Sequence, residues 1–198
     1  MKAYIINLIC LFVISCSNSI TQKVTNNSEF KQEQKIDIDS LKGDKLISQR
    51  TILKEINRTC AYGFIGKCAY ENITASYYSI FKEFPDENRV ILIKRGNLEI
   101  SLHKELPKIE DIEEHIKILM EVYKKNKKIS STLIYEYYND PNTLVAYEKY
   151  YYIDIDKFTF YTMYLLYDEE QTTADKWEKH QIDTLTGKII LLEHINNK

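Results

Sequence analysis

Two cysteines, Cys60 and Cys68, are spaced so that they could form a disulfide bond. The seven residues between them include Gly63 and Gly66, whose backbone freedom would let so small a loop close. If the chain is exported, as its N-terminal segment described below indicates, it meets an oxidising compartment, where such a pair normally forms a disulfide. Loop-closure entropy puts the stabilisation by this disulfide at about 2.5 kcal/mol. Free thiols are one alternative. A zinc site is another, although two cysteines without a nearby histidine pair are weak evidence for zinc.

Catalytic motifs are not evident in the sequence. It has no serine in a nucleophile elbow, no glycine-rich phosphate loop and no metalloprotease helix motif. The four histidines fall in different predicted elements without the spacing of metal ligands: His103, His115, His180 and His194. His180 and Asp183 would lie on opposite faces of a strand, because their offset is three residues. We therefore expect a non-enzymatic protein without a metal or cofactor.

Acidic residues support two further alternatives. A hydrolase could use scattered acids such as Glu148, Asp154 or Asp156, but glycoside hydrolysis needs two carboxylates at a defined separation. The run that begins at Asp168 and ends at Asp175 offers oxygen ligands of the kind that calcium prefers. It lacks the alternate spacing and central glycine of a calcium loop, so a solvated turn is the simpler interpretation.

Tyrosines are the most suggestive binding residues, with 16 in the chain. Many lie on neighbouring predicted strands, and an outward row including Tyr150, Tyr152 and Tyr161 could stack on a sugar or anchor a partner protein. The alternative is ordinary cross-strand pairing of aromatic side chains, which stabilises a sheet without binding anything.

Two segments show helical periodicity. Residues 109–125 place Ile112, Ile116 and Leu119 on one stripe, with acidic residues at the start and lysines at the end, as the helix dipole favours. Residues 44–58 show a shorter apolar stripe, and Asp44 could cap it.

Eight other segments are rich in aromatic and β-branched residues and are separated by turn sequences, which predicts strands. They are residues 76–84, 89–94, 98–103, 131–138, 143–154, 158–167, 176–183 and 188–194. Short turns require neighbouring strands to run antiparallel. We therefore expect an α+β fold, with a curved antiparallel sheet and one or two amphipathic helices packed on one face.

A short apolar segment at the N-terminus ends in a cysteine. Lys2 precedes residues 3–14, an apolar stretch that only Asn7 interrupts. A dozen helical residues rise about 18 Å, too little to span about 30 Å of hydrocarbon, so the segment is typical of a secretory signal. Its ending, Val13-Ile14-Ser15-Cys16, resembles the lipobox of bacterial lipoproteins.

The resemblance implies that the chain is cut before Cys16 and that this residue receives acyl chains such as palmitate, which together anchor a protein stably. Because Ser17 rather than aspartate follows, we expect the outer membrane of a bacterial cell envelope. An ordinary secretory signal or an uncleaved anchor is the alternative. Residues 1–15 are thus predicted as a lipoprotein signal peptide, 16–39 as the lipidated cysteine and a flexible tether, and 40–198 as a single domain.

The charge balance excludes one class of partner. Removing residues 1–15 takes one lysine from 27 basic residues and nothing from 29 acidic ones, leaving a charge of −3. Nucleic-acid binding calls for a clustered basic face instead. We expect an envelope-anchored protein that binds a protein partner, as an inhibitor, immunity protein or assembly accessory. The alternative is a module that binds carbohydrate or peptidoglycan through exposed tyrosines.

Overall fold

An antiparallel sheet of eight strands forms the centre of the protein in this computed structural model. The strands pair in chain order. They are β1 (Arg89–Arg95), β2 (Leu98–Glu105), β3 (Ile116–Lys124), β4 (Lys127–Asp140), β5 (Val145–Asp154), β6 (Thr159–Tyr167), β7 (Thr172–Ile182) and β8 (Ile189–Asn196). The structure describes residues 37–71, 73, 77, 84, 89–105, 115–140, 145–167 and 171–197, all within one unit, Lys35–Lys198.

The predicted α+β class is wrong, because this sheet dominates the fold and helices contribute little. The described residues contain one α-helix with defined ends, α1 (Ile52–Thr59), which has eight residues. Two single-turn 3₁₀ helices, Ser40–Lys42 and Lys45–Ser48, precede it. Residues 69–71, 73 and 77 also have helical backbone.

The predicted helix over residues 109–125 is the largest error. Residues 116–124 form β3, whereas residues 109–114 lie outside the described part of the chain. Ile118, Met120 and Val122 alternate along β3 and are fully buried on one face. The apolar residues of this segment fit both the two-residue repeat of a strand and the 3.6-residue repeat of a helix. Hydrogen bonding to β2 on one side and β4 on the other selects the strand.

The other predicted elements fare better. Seven of the eight predicted strands overlap β1, β2 and β4–β8. The prediction for residues 76–84 is wrong at Tyr77, whose backbone is helical, and its other residues except Phe84 lie outside the described ranges. The predicted helix over 44–58 is divided between the second 3₁₀ helix and α1. Asp44 does cap its start, because its carboxylate accepts the Leu46 N–H at 2.8 Å.

The segment before the sheet covers one face of β5–β7. Tyr150, Met163 and Trp177 are cross-strand neighbours on that face, and all three are buried. The Trp177 indole donates to the Ile47 carbonyl at 2.8 Å, which holds the second 3₁₀ helix, Lys45–Ser48, against β7. The Asn57 amide donates to the Ala174 carbonyl at 2.9 Å and accepts from its N–H at 2.6 Å, which holds α1 against the same strand.

Candidate functional site

The tyrosines predicted to bind a ligand do not form an outward row. Tyr150 is only 2% exposed, because Tyr77 packs against it with ring centroids 4.7 Å apart. Tyr152 and Tyr161 are half-buried, and their rings stack on each other with centroids 6.3 Å apart. The prediction that Tyr150 is available to a ligand is therefore wrong. The pairing of Tyr152 with Tyr161 is the cross-strand contact that stabilises a sheet.

Glu148 is a carboxylate on the same covered face, 3% exposed. It accepts hydrogen bonds from the hydroxyls of Tyr70 and Tyr150. Burial raises the pKa of Glu148, and these two hydrogen bonds act in the opposite direction. Asp154 lies six residues further along β5, about 20 Å away at the rise of a strand, and Asp156 is in the following turn. Glu148 and Asp154 are thus too far apart to act together as a hydrolase pair.

A row of polar side chains crosses the opposite face of the sheet. Lys117 lies opposite Glu136, Glu136 opposite Lys149, Lys149 opposite Tyr164, and Tyr164 opposite Lys176. Sequence reasoning missed this row because it emerges only when five strands are in register.

Lys149 is the unusual member of that row. It is 4% exposed, its ammonium group donates to the Leu133 carbonyl at 2.5 Å, and it lies 4.6 Å from the centre of the Tyr164 ring. Burial lowers the pKa of Lys149 to about 8, although the nearby carboxylates of Glu178 and Glu136 favour the charged form. Its partners are supplied by the fold itself, so the row is a stabilising network and not an open ligand site.

Glu178 is the centre of a second group of contacts on this face. It lies 3.4 Å from the His180 imidazole and 2.5 Å from the Lys176 ammonium group, and it accepts from the Thr162 hydroxyl at 3.3 Å. The hydrogen bond to His180 and the contact with Lys176 lower the pKa of Glu178 to about 2. His180 thus pairs with the residue two positions before it, a spacing on β7 that could have been found in the sequence, and not with Asp183.

The predicted disulfide between Cys60 and Cys68 is present, with the two Cα atoms 4.7 Å apart. The loop that it closes, residues 61–67, lies just after α1 and is exposed throughout. Tyr62 is 75% exposed and Ile65 is 98% exposed. Sequence reasoning missed this apolar tip. The signal was present, because a loop of seven residues between bonded cysteines cannot bury all its apolar side chains.

The two edges of the sheet differ in character. β1 carries three basic residues, Arg89, Lys94 and Arg95, and charges of this kind discourage pairing with another strand. β8 instead exposes three consecutive aliphatic residues: Ile190, Leu191 and Leu192 are 47%, 49% and 52% exposed. Each edge strand also has one register shift, at Leu92 on β1 and at Leu192 on β8, so the two edges differ in charge, and β8 is the less protected by charge.

The backbone of β8 also presents hydrogen-bonding groups to its outer side. The Asn197 N–H donates to the Asp175 carbonyl at 2.7 Å, which marks a hydrogen-bonded pair at the end of β7 and β8. Because such pairs alternate in an antiparallel ladder, Ile195 also bonds to β7, whereas the backbone groups of His194 and Asn196 point away from it. Within the described ranges, no backbone hydrogen bond reaches the outer side of β8.

Several predictions fall outside the described residues. They concern the signal segment, Cys16, residues 17–36 of the tether, and residues 168–170 of the acidic loop. Over the part of the chain that the structure describes, no helix has the length and apolar character needed to cross a membrane, and no three histidine, cysteine or acidic side chains are grouped to hold a metal ion.

Comparisons with known proteins add no relative. No protein-family model matches the chain, and neither the curated proteins nor the solved structures include a match. No enzyme family is thereby indicated for the chain.

Proposed function

We propose that the protein is a non-enzymatic lipoprotein of the bacterial cell envelope, and that its β8 edge binds an extended segment of a partner protein. The observation that carries the proposal is the exposed Ile190–Leu192 segment on an edge strand with outward backbone donors and acceptors. Extended peptides join such an edge by main-chain hydrogen bonds, and side chains flanking the edge select the partner.

The lipid anchor rests on the Val13-Ile14-Ser15-Cys16 ending, which supports lipidation of Cys16 and an outer-membrane location. Changing Cys16 to alanine should abolish incorporation of labelled palmitate and leave a longer precursor. Unchanged labelling would rule out this residue as the lipidation site.

The β8 edge can be tested by site-specific photo-crosslinking of the full chain in intact cells. A photoreactive amino acid replaces Leu192 on β8 or, as the matched control, Ile91 on β1, which is 43% exposed. We expect one discrete heterologous adduct from position 192 and none from position 91. The same adducts from both positions, or none from position 192, would contradict the proposal, and an adduct of two copies of this chain would replace the partner with self-association.

If the partner adds a strand to the sheet, its binding also requires the outward backbone N–H groups of β8. His194→Pro removes an outward backbone donor without breaking a hydrogen bond to β7, so the adduct should disappear while the far-ultraviolet circular dichroism stays unchanged. Thr184→Pro serves as a control in the exposed β7–β8 turn, away from the ladder, where the Thr184 N–H has no acceptor among the described residues. An adduct that persists in His194→Pro would show that the partner does not add a strand.

The carbohydrate alternative receives no specific support from the geometry. Tyr138 stacks on Tyr147 with centroids 4.9 Å apart, and Tyr152 stacks on Tyr161. In each pair the partner ring covers one face of the other, and all four side chains are half-buried, which leaves a sugar little aromatic surface on which to stack.

A further inference from the structure

The disulfide-closed loop, residues 61–67, has an apolar tip that the β8 proposal does not use. Tyr62, Phe64 and Ile65 are 75%, 41% and 98% exposed. Isolated surface apolar residues are common, but three within four positions on a projecting loop form a patch of the kind that marks a contact surface.

The base of this loop is held at several points. The disulfide joins Cys60 to Cys68, and the Thr59 hydroxyl accepts the Ala69 N–H at 3.1 Å. The Cys60 carbonyl accepts the Thr172 N–H at 3.1 Å, which fastens the loop to the start of β7. A loop fixed in this way loses little conformational freedom when its tip binds.

The tip itself is also ordered by local contacts. The Arg58 guanidinium lies 5.8 Å from the centre of the Phe64 ring. Gly66 has a φ of 153°, and a Cβ atom there would lie 2.8 Å from that ring, so glycine allows the chain to turn tightly behind Phe64. Ile65 is left as the most projecting side chain.

The size of the tip distinguishes between possible occupants. At about 200 Å² for each whole side chain, the exposed fractions correspond to about 400 Å² of surface. A standard protein interface takes about 800 Å² and 20–30 residues from each partner. A lipid bilayer needs no complementary pocket, and a small apolar tip with aromatic residues can enter the interfacial region of the bilayer.

We expect charge to have little effect on this contact. Close to the loop in the sequence, the exposed Lys54, Arg58 and Lys67 are partly offset by the exposed acids Glu55 and Glu71. Insertion should therefore depend on apolar burial more than on anionic headgroups, and added salt should change it little.

We propose that residues 61–67 form a second membrane contact, in which Tyr62, Phe64 and Ile65 enter the interface of a phospholipid bilayer. A single weak contact cannot hold a protein at a membrane, but together with a lipid anchor it fixes how the domain is oriented there. This inference rests on the proposed lipid anchor, which palmitate labelling of Cys16 tests separately, and does not depend on the β8 edge.

The test uses the full chain, purified from membranes and reconstituted into phosphatidylcholine vesicles. Tryptophan replaces Ile65 in one variant and, as the matched control, Leu185 in another, since Leu185 is an 81% exposed position in the β7–β8 turn. The native Trp177 is 2% exposed and provides a constant background. After the wild-type Trp177 emission is subtracted, brominated phosphatidylcholine should quench the remaining emission of Ile65→Trp by at least twofold and leave that of Leu185→Trp unchanged.

Because tryptophan itself favours the interface, a second measurement uses the unlabelled protein. Amide hydrogen exchange of residues 61–67 should slow severalfold on vesicles relative to the Tyr62→Asp/Ile65→Asp variant on the same vesicles. Equal quenching at both positions, no quenching at position 65, or equal exchange in the two proteins would overturn the inference. These residues are exposed, so the aspartate variant should fold normally, and circular dichroism checks that it does.

Discussion

Replacing Lys149 by methionine should remove the rise in stability that the wild-type protein gains between about pH 8 and about pH 9.5. The reason is the burial of its amine, which is 4% exposed and donates only to the Leu133 carbonyl among the hydrogen bonds of the described residues. Glu136 and Glu178 stabilise the charged form, and Lys176 opposes it.

The size of the pH-dependent change in stability follows from the pKa of Lys149. Burial lowers the pKa of Lys149 from 10.5 to about 8. At about 1.4 kcal/mol per pH unit, this shift corresponds to about 3 kcal/mol of unfavourable charge burial in the folded state. Below pH 8 both states carry the proton and the folded protein bears this cost in full. Above it the folded state releases the proton while the unfolded chain keeps it, so the free energy of unfolding rises with pH.

Methionine has no proton to lose, so that rise disappears from the variant. At neutral pH the variant escapes the charge burial but leaves the Leu133 carbonyl without its donor, which costs about 1–3 kcal/mol. Its stability at pH 7 should therefore lie within about 2 kcal/mol of wild type, on the more stable side.

The assay is urea denaturation at intervals between about pH 8 and about pH 9.5. Higher pH is avoided because tyrosines with raised pKa, such as Tyr164 at about 12, reverse the trend once tyrosines ionise in the unfolded chain. Lys94→Met is the matched control, since the Lys94 side chain is 62% exposed. Parallel curves for Lys149→Met and wild type across the window would refute the argument that the buried amine controls this slope.

Two further changes test other contacts. Glu178→Gln should lower the free energy of unfolding at pH 7, because the depressed pKa of Glu178 gives stability that exists only while the carboxylate is ionised. The difference between variant and wild type should shrink as pH falls from 4.5 towards about 2. Denaturation curves that stay equally separated down to about pH 2 would contradict this. In urea denaturation, the Cys60→Ser/Cys68→Ser variant should have a free energy of unfolding about 2.5 kcal/mol below that of the oxidised wild type. Reductant should have no effect on this variant. A variant as stable as the oxidised protein would show that the disulfide contributes nothing to stability.

The sequence predicted strands well where local pattern and turn chemistry agree. Gly96 and Asn97 mark the turn between β1 and β2, and both strands lie close to their predicted positions. The prediction of a helix in place of β3 was wrong because the apolar pattern of residues 116–124 fits a helix and a strand equally well. Partners from elsewhere in the chain decide between the two structures, and a local pattern does not identify those partners.

The candidate sites divide in the same way. The Cys60–Cys68 bond depends on spacing and compartment, and it could be predicted from the sequence. Burial of Tyr150 and Lys149 depends on which strands flank β5 and on what covers its faces, so neither could be. The pairing of Glu178 with His180 lies between these cases, because the spacing is visible but the low exposure that strengthens the contact is tertiary.

The contrast in charge between the sheet edges is the strongest support for the proposal that β8 binds a partner strand. Edge strands invite pairing, and natural proteins commonly protect them with charge. β1 follows that practice with Arg89, Lys94 and Arg95. β8 has a single fully charged residue, Glu193, which is already paired with Arg50 at 3.2 Å. An aliphatic edge left open in this way would favour aggregation, and occupation by another strand would bury the Ile190–Leu192 side chains and satisfy the outward backbone groups together.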